Sequence, residues 1–176
     1  MACCFPRSFR LGSAGRRPFM VAALAPVLAL GSCAPAPPPP IPPTIAYVQI
    51  NTTSDVNSSP GAPGAPIALR VYQLASPDAF SGAEFYPLYN ADKAALGADL
   101  LKKDEMIMKP LDTKSMILTP SDQVKTLAVF GAYASFGTVI WRVAADIPAH
   151  QTTTFTLTAS SAGLKLAATP GKPAVP

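Results

Sequence analysis

Few side chains in this 176-residue sequence have the type and setting to do chemistry. Cysteine occurs three times, as Cys3, Cys4 and Cys33, and only Cys33 has distinctive neighbours: Leu30, Gly31 and Ser32 before it, and a proline-dense run after it. A thiol is a nucleophile that can be S-alkylated, and small flanking residues leave the peptide bond just before it open to a peptidase. His150 is the only histidine and sits near Pro148 in an expected turn, which fits a solvated loop residue better than a general base. One histidine and no spare thiol cannot supply a typical zinc set. Asp104 and Glu105 are adjacent, so on a strand they point to opposite faces and cannot act as a paired acid and base. Neither a G-x-S-x-G elbow, a P-loop nor a G-x-G-x-x-G motif occurs. Nothing in this inventory supports an enzyme.

The elements around Cys33 explain its position. Arg7, Arg10, Arg16 and Arg17 form a basic start, and an apolar run covers residues 19–30. That run is about a dozen residues, against roughly 20 needed to span a bilayer, and Pro26 interrupts it. Residues 1–32 therefore read as a secretory signal peptide. Leu30-Gly31-Ser32-Cys33 resembles a bacterial lipobox, which makes Cys33 the first residue after cleavage and the lipid attachment. Cys3 and Cys4 leave with the leader, so no thiol remains for a disulfide, a metal or a nucleophile in an oxidising compartment. Each buried methylene contributes about 0.8 kcal/mol, and two or more chains anchor stably. Ala34 follows Cys33, in place of the aspartate that commonly retains bacterial lipoproteins at the inner membrane. This points to the outer membrane, in its inner leaflet, with the domain facing the periplasm.

The net charge of +4 arises from 14 Lys/Arg against 10 Asp/Glu, and four of the arginines lie in the leader. The remainder is therefore neutral. Without clustered cations there is no counterion-releasing surface for nucleic acid. No small-molecule substrate, metal or cofactor is implied beyond the covalent lipid on Cys33.

Residues 33–43 form the lipidated cysteine and a spacer. Seven of the ten residues 34–43 are proline, and a polyproline conformation at about 3.1 Å per residue extends roughly 30 Å. Residues 44–168 form the folded domain, and the proline-rich stretch 169–176 is expected to be disordered. Segments 44–50, 67–74, 106–109, 115–119, 125–135, 139–146, 152–160 and 164–167 are short, rich in β-branched and aromatic residues, and separated by turn residues. This spacing predicts a mainly β fold, an antiparallel two-sheet β-sandwich. Residues 76–97 break the pattern as a helical insertion of short pieces. Ser76-Pro77 offers a start, Ser81 and Glu84 have capping-box spacing, and Pro87 is expected to limit the second helix. Phe80, Phe85, Tyr86 and Tyr89, with Tyr133 and Trp141, either pack that insertion onto the sandwich or form a carbohydrate-stacking platform, packing being the better fit. Residues 51–66 form a sixteen-residue loop without a periodic apolar face. Loops that long are either functional or disordered.

The run Leu69-Arg70-Val71-Tyr72-Gln73-Leu74, then Ser76-Pro77, Phe80, Ala83-Glu84-Phe85, Leu88-Tyr89 and Asp92 resembles the TssJ (VasD/SciN) family of type VI secretion outer-membrane lipoproteins. The likeness continues through Leu96-Gly97, Asp99-Leu100, Phe130-Gly131-Ala132-Tyr133 and Trp141-Arg142. It implies a transthyretin-like sandwich with a small helical insertion. It also implies a scaffold that docks the membrane complex to the outer membrane by binding the periplasmic C-terminal region of TssM, an inner-membrane protein. The loop between the first two strands carries that contact in the family. Here it corresponds to residues 51–66, with Asp55, Asn57, Pro60 and Gly61 near its apex. Ala134 stands where many relatives carry arginine, and Asp55 is the loop's one charge, so recognition is expected to rest on shape and backbone. The rival readings are a carbohydrate- or peptidoglycan-binding lipoprotein using Tyr86 or Tyr89, and a periplasmic hydrolase using His150.

Overall fold

The computed structural model describes residues 38–173. In chain order these form β1 (Ile45–Thr52), β2 (Ile67–Leu74), α1 (Asp78–Gly82), α2 (Phe85–Leu96), a 3₁₀ turn (Gly97–Asp99), β3 (Leu100–Met108), β4 (Thr113–Leu118), β5 (Thr126–Gly131), β6 (Arg142–Asp146), β7 (Thr152–Ser160) and β8 (Gly163–Pro170). The leader, Cys33 and the spacer up to residue 37 lie outside the described residues, as do residues 174–176.

Strand β1 shows the alternation that makes a sheet with one buried face: Ala46, Val48 and Ile50 are fully buried while Tyr47 and Gln49 between them are half-buried. Its sheet has the order β4-β1-β7-β8, and the second has the order β3-β2-β5-β6. Ala46, Val48, Ile50, Phe155 and Leu157 from the first meet Leu69, Val71, Leu127 and Val129 from the second in one core. The expected sandwich is present, with one pair running parallel. β1 pairs with β7 in parallel from Ile45↔Thr152 to Thr52↔Ala159, and the other pairs are antiparallel. Strands so far apart in sequence are not joined by a hairpin, so nothing local fixes their relative direction.

Strand β5 is buried at all six positions and β2 at its last four, because the second sheet is covered on both faces. Its outer face presents Tyr72, Leu74, Ala128 and Phe130 to Phe80, Phe85, Leu88 and Leu96 of the helical insertion. Burial on both faces produces continuous apolar runs in place of alternation, which is why 67–74 and 125–135 alternate imperfectly.

Several elements differ from expectation. β3 starts at Leu100, not 106, since Lys102–Glu105 belong to an edge strand whose side chains are largely exposed. Pro87 does not limit α2; it is the third residue of that helix, where its missing N–H has no partner to lose. The interruption comes instead at Ala91, whose backbone is non-helical. The Ser81–Glu84 capping box does not form, because Ser81 lies inside α1 and Glu84 precedes α2 without a side-chain cap. Ser76 does serve α1, its Oγ accepting from the Asp78 N–H at 3.2 Å. The folded domain also passes residue 168: β8 runs to Pro170, and the Gly171 N–H donates to Thr152 O at 2.8 Å. Residues 169–171 are thus part of the sheet and not a disordered tail.

Candidate functional site

Two arginines hold the helical insertion against the second sheet. Arg70, on β2, donates from its guanidinium to Leu88 O at 2.9 Å and Tyr89 O at 3.0 Å. These carbonyls lie just before the kink at Ala91, where the helical ladder would otherwise leave them unpaired. Arg142, on β6, donates to Phe80 O at 3.1 Å and to Ala83 O. Beside Arg70 lies Asp92, 8 % exposed. It accepts from the Tyr72 hydroxyl at 3.1 Å and from Lys103 Nζ at 2.9 Å, with Arg70 at 3.6 Å. Burial pushes this carboxyl up, but the hydrogen bonds from Lys103 and Tyr72 and the positive charges of Lys103 and Arg70 outweigh it and hold it below the ordinary value. Burial raises the Tyr72 phenol, so it stays a neutral donor. Arg70, Tyr72, Asp92 and Arg142 are thus spent on architecture.

The β1–β2 loop is built by side chains, because no periodic backbone pairing is available to it. Val56 is fully buried and fixes its middle to the core. Asp55 accepts from the hydroxyls of Thr53 and Ser161, the latter in the β7–β8 turn. Those two bonds, Ser161's first, lower the Asp55 pKa. Asn57 takes a left-handed backbone, φ 52°. Its amide nitrogen donates to Pro66 O at 3.0 Å, closing the loop, and its amide oxygen accepts from the Ala134 N–H at 2.9 Å, joining the β5–β6 connection. Gly64 passes so close to Ser54 that a Cβ would lie 2.2 Å from the Ser54 carbonyl oxygen. Pro60 and Gly61 stand exposed at the apex, and Gly61, at φ 76°, has open space around it.

The four apex candidates therefore separate into two kinds. Asp55 and Asn57 face neighbouring loops, while Pro60 and Gly61 face outward. Between the loop and the β5–β6 connection lies a cleft of about 370 Å³. Ser58, Ser59 and Pro60 form one wall, and Ser135, Thr138 and Ser161 the other. The sequence reading did not include Ser135, Thr138 or Ser161; nothing local marks them beyond small polar character in turns.

Beside the cleft the aromatics divide. Phe80 and Phe85 are buried, as packing required, whereas Tyr86 and Tyr89 are 58 % and 46 % exposed. Phe85 stacks on Phe136 with centroids 4.1 Å apart, and Tyr86 meets Phe136 edge-on at 5.2 Å. Trp141 is only partly buried and packs against both apolar clusters, with the Arg142 guanidinium 4.7 Å from its ring centroid. Tyr133 is buried, and burial raises its phenol. His150 is exposed at φ 59°, its Nδ1 3.2 Å from Pro42 O. Among the described residues no three His, Cys, Asp or Glu side chains converge to hold a metal, and no helix is long and apolar enough to cross a membrane.

Residues 44–162 match the family model described as type VI secretion lipoprotein, VasD, EvfM, TssJ, VC_A0113. Among solved structures, the chain is similar to the type VI lipoprotein TssJ1 from Pseudomonas aeruginosa. Identity is 27 %, the TM-score is 0.71, and the match covers 74 % of this chain and 100 % of that one. It is similar to Serratia marcescens Lip, a membrane-bound component of the type VI secretion system, at 24 % identity and TM-score 0.66, covering 71 % of this chain and 98 % of that one. The fold also recurs in a chain of a structure described as the TssM C-terminal domain from EAEC, at 18 % identity and TM-score 0.58, covering 70 % and 98 %. No curated protein matches the chain.

Proposed function

The chain belongs to the type VI secretion lipoprotein family that includes TssJ and VasD, and from that membership we propose that it is a periplasmic scaffold docking the secretion membrane complex to the outer membrane. Cys33 carries the lipid, the prolines hold the domain off the bilayer, and the loop end of the sandwich binds the periplasmic C-terminal region of a TssM-type inner-membrane protein. The observation that carries this reading is the family match along residues 44–162, nearly the whole domain. The recurrence of the fold in a structure described by a TssM domain agrees with it. The role is binding: the loop end offers hydroxyls, prolines and backbone, and the His150 ring has the Pro42 carbonyl as its hydrogen-bond partner.

The test is co-purification of the full chain, extracted in detergent, with the periplasmic C-terminal region of the TssM-type protein from the same cell. A second arm replaces residues 55–63 by a short Gly/Ser linker. Binding by the first and loss by the folded second is the expected result; no binding by either refutes the scaffold. A Cys33→Ser chain should leave the membrane fraction. The exposure of Tyr86 and Tyr89 keeps one second reading, saccharide binding. It predicts retention on peptidoglycan that Tyr86→Ala abolishes.

A further inference from the structure

The β1–β2 loop, which forms one wall of the cleft, is tied to its neighbours by two side-chain latches. Asp55 ties the loop to Ser161, and Asn57 ties it to Ala134. The latches fix the separation of the walls before anything binds. Neither wall carries an ionisable side chain: the lining consists of serine, threonine, proline, glycine, alanine and valine. The one nearby charge, Asp55, is already satisfied by two hydroxyl donors.

Such a lining discriminates by what it lacks. A charged group entering the cleft would shed water without meeting a countercharge, and that desolvation is costly. Hydroxyls, in contrast, both donate and accept, which matches the alternating N–H and C=O groups of an extended backbone. Ser59 and Thr138 are exposed positions that line the cleft from the β1–β2 loop and the β5–β6 connection respectively.

We propose that this cleft is the part of the docking surface that grips the partner, that it takes an extended, uncharged segment of the partner protein, and that Asp55 and Asn57 are positioning residues that hold the walls apart without contacting it. This rests on the scaffold reading above. It moves the contact from the loop apex alone to both walls, one of which belongs to a different connection.

The experiment measures affinity of the full chain in detergent for the periplasmic C-terminal region of the TssM-type protein. Four variants carry a charge into the cleft: Ser59→Asp, Ser59→Arg, Thr138→Asp and Thr138→Arg. Both positions are exposed, and circular dichroism checks the fold of each variant. The expected result is weakening by about tenfold or more with either sign of charge, on either wall. Unchanged affinity in the Thr138 pair, with the parent chain still binding, overturns the cleft while leaving the scaffold intact. Tightening by one sign and weakening by the other overturns the uncharged occupant. No binding by the parent chain overturns both readings together.

Discussion

Replacing Asp92 by alanine tests whether the buried charge network is what keeps the helical insertion on the sheet. The carboxylate accepts from Tyr72, from Lys103 and from the Lys93 N–H at 2.8 Å, and Arg70 lies 3.6 Å away. Without it the Tyr72 hydroxyl, on a fully buried side chain, has no acceptor. A stranded buried donor costs about 1–3 kcal/mol. The two cations lose a partner but are less costly. Arg70 keeps Glu105 at 3.1 Å and two helix carbonyls, and the Lys103 side chain is 35 % exposed and can reach water. The expected loss is therefore about 2–4 kcal/mol in a denaturant titration, toward the lower end of what breaking a buried pair costs. The assignment to the phenol is testable separately. In Asp92→Ala with Tyr72→Phe, no buried donor is stranded, so the double variant should recover about 1 kcal/mol or more relative to Asp92→Ala alone. A single-variant loss below about 0.5 kcal/mol, or no recovery in the double, would refute the account and leave packing of Leu88 and Phe85 as the force that seats the insertion.

The pH dependence follows from the same carboxyl and from Asp55, both held below the ordinary value in the folded state. Their contribution is present above the unfolded carboxyl range, near pH 4, and is lost as pH falls through the folded values. Acid titration of stability should show this slope, and Asp92→Ala should flatten it. Asn57→Ala removes the acceptor of the Ala134 N–H, so that amide should exchange with solvent about tenfold faster or more while β5 amides stay protected. Gly64→Ala should cost about 2 kcal/mol or more, because its Cβ would meet the Ser54 carbonyl oxygen at 2.2 Å. Gly61→Ala, with open space but φ 76°, should cost only about 1 kcal/mol; equal effects in a thermal melt would contradict the packing described for the loop.

How much of this was legible in the sequence depends on how local the causes are. β2 and β7 fall on the segments expected, since β-branched and aromatic runs bounded by turn residues are a short-range signal. The first half of β3 was hidden because Lys102–Glu105 lack the β-branched and aromatic residues that mark a strand, while an edge strand tolerates charged residues. The parallel partnership of β1 and β7 has no local signature. At the loop, the sequence singled out Asp55 and Asn57 but not the hydrogen bonds that hold them. Their hydrogen bonds reach Ser161 and Ala134, 106 and 77 positions away, a pairing that only the folded chain creates. Proline 87 shows the opposite case: its type was read correctly and its position in the helix was not, because the start of α2 is set by how Phe85 packs against Phe130 and Phe136.

The direction of β1 has a mechanical consequence. The chain enters β1 beside the β6–β7 turn, where the His150 N–H donates to Thr44 Oγ1 at 2.8 Å and the Ile45 N–H to Gln151 O at 3.0 Å. It leaves at Thr52 into the β1–β2 loop. Eight residues at about 3.3 Å each separate the two ends by roughly 26 Å, so the entry into β1 and the β1–β2 loop lie at opposite ends of the strand. Tension between a membrane anchor and a bound partner would then run along β1 itself. Its ladders to β4 and β7 lie across that line and are loaded in shear, so many hydrogen bonds must fail together and not one after another. A parallel neighbour along its full length and an antiparallel one on the other side make β1 a tie-rod. In the scaffold role proposed above, traction would pass through this one strand while the helical insertion, packed on the other sheet, stays off the load path.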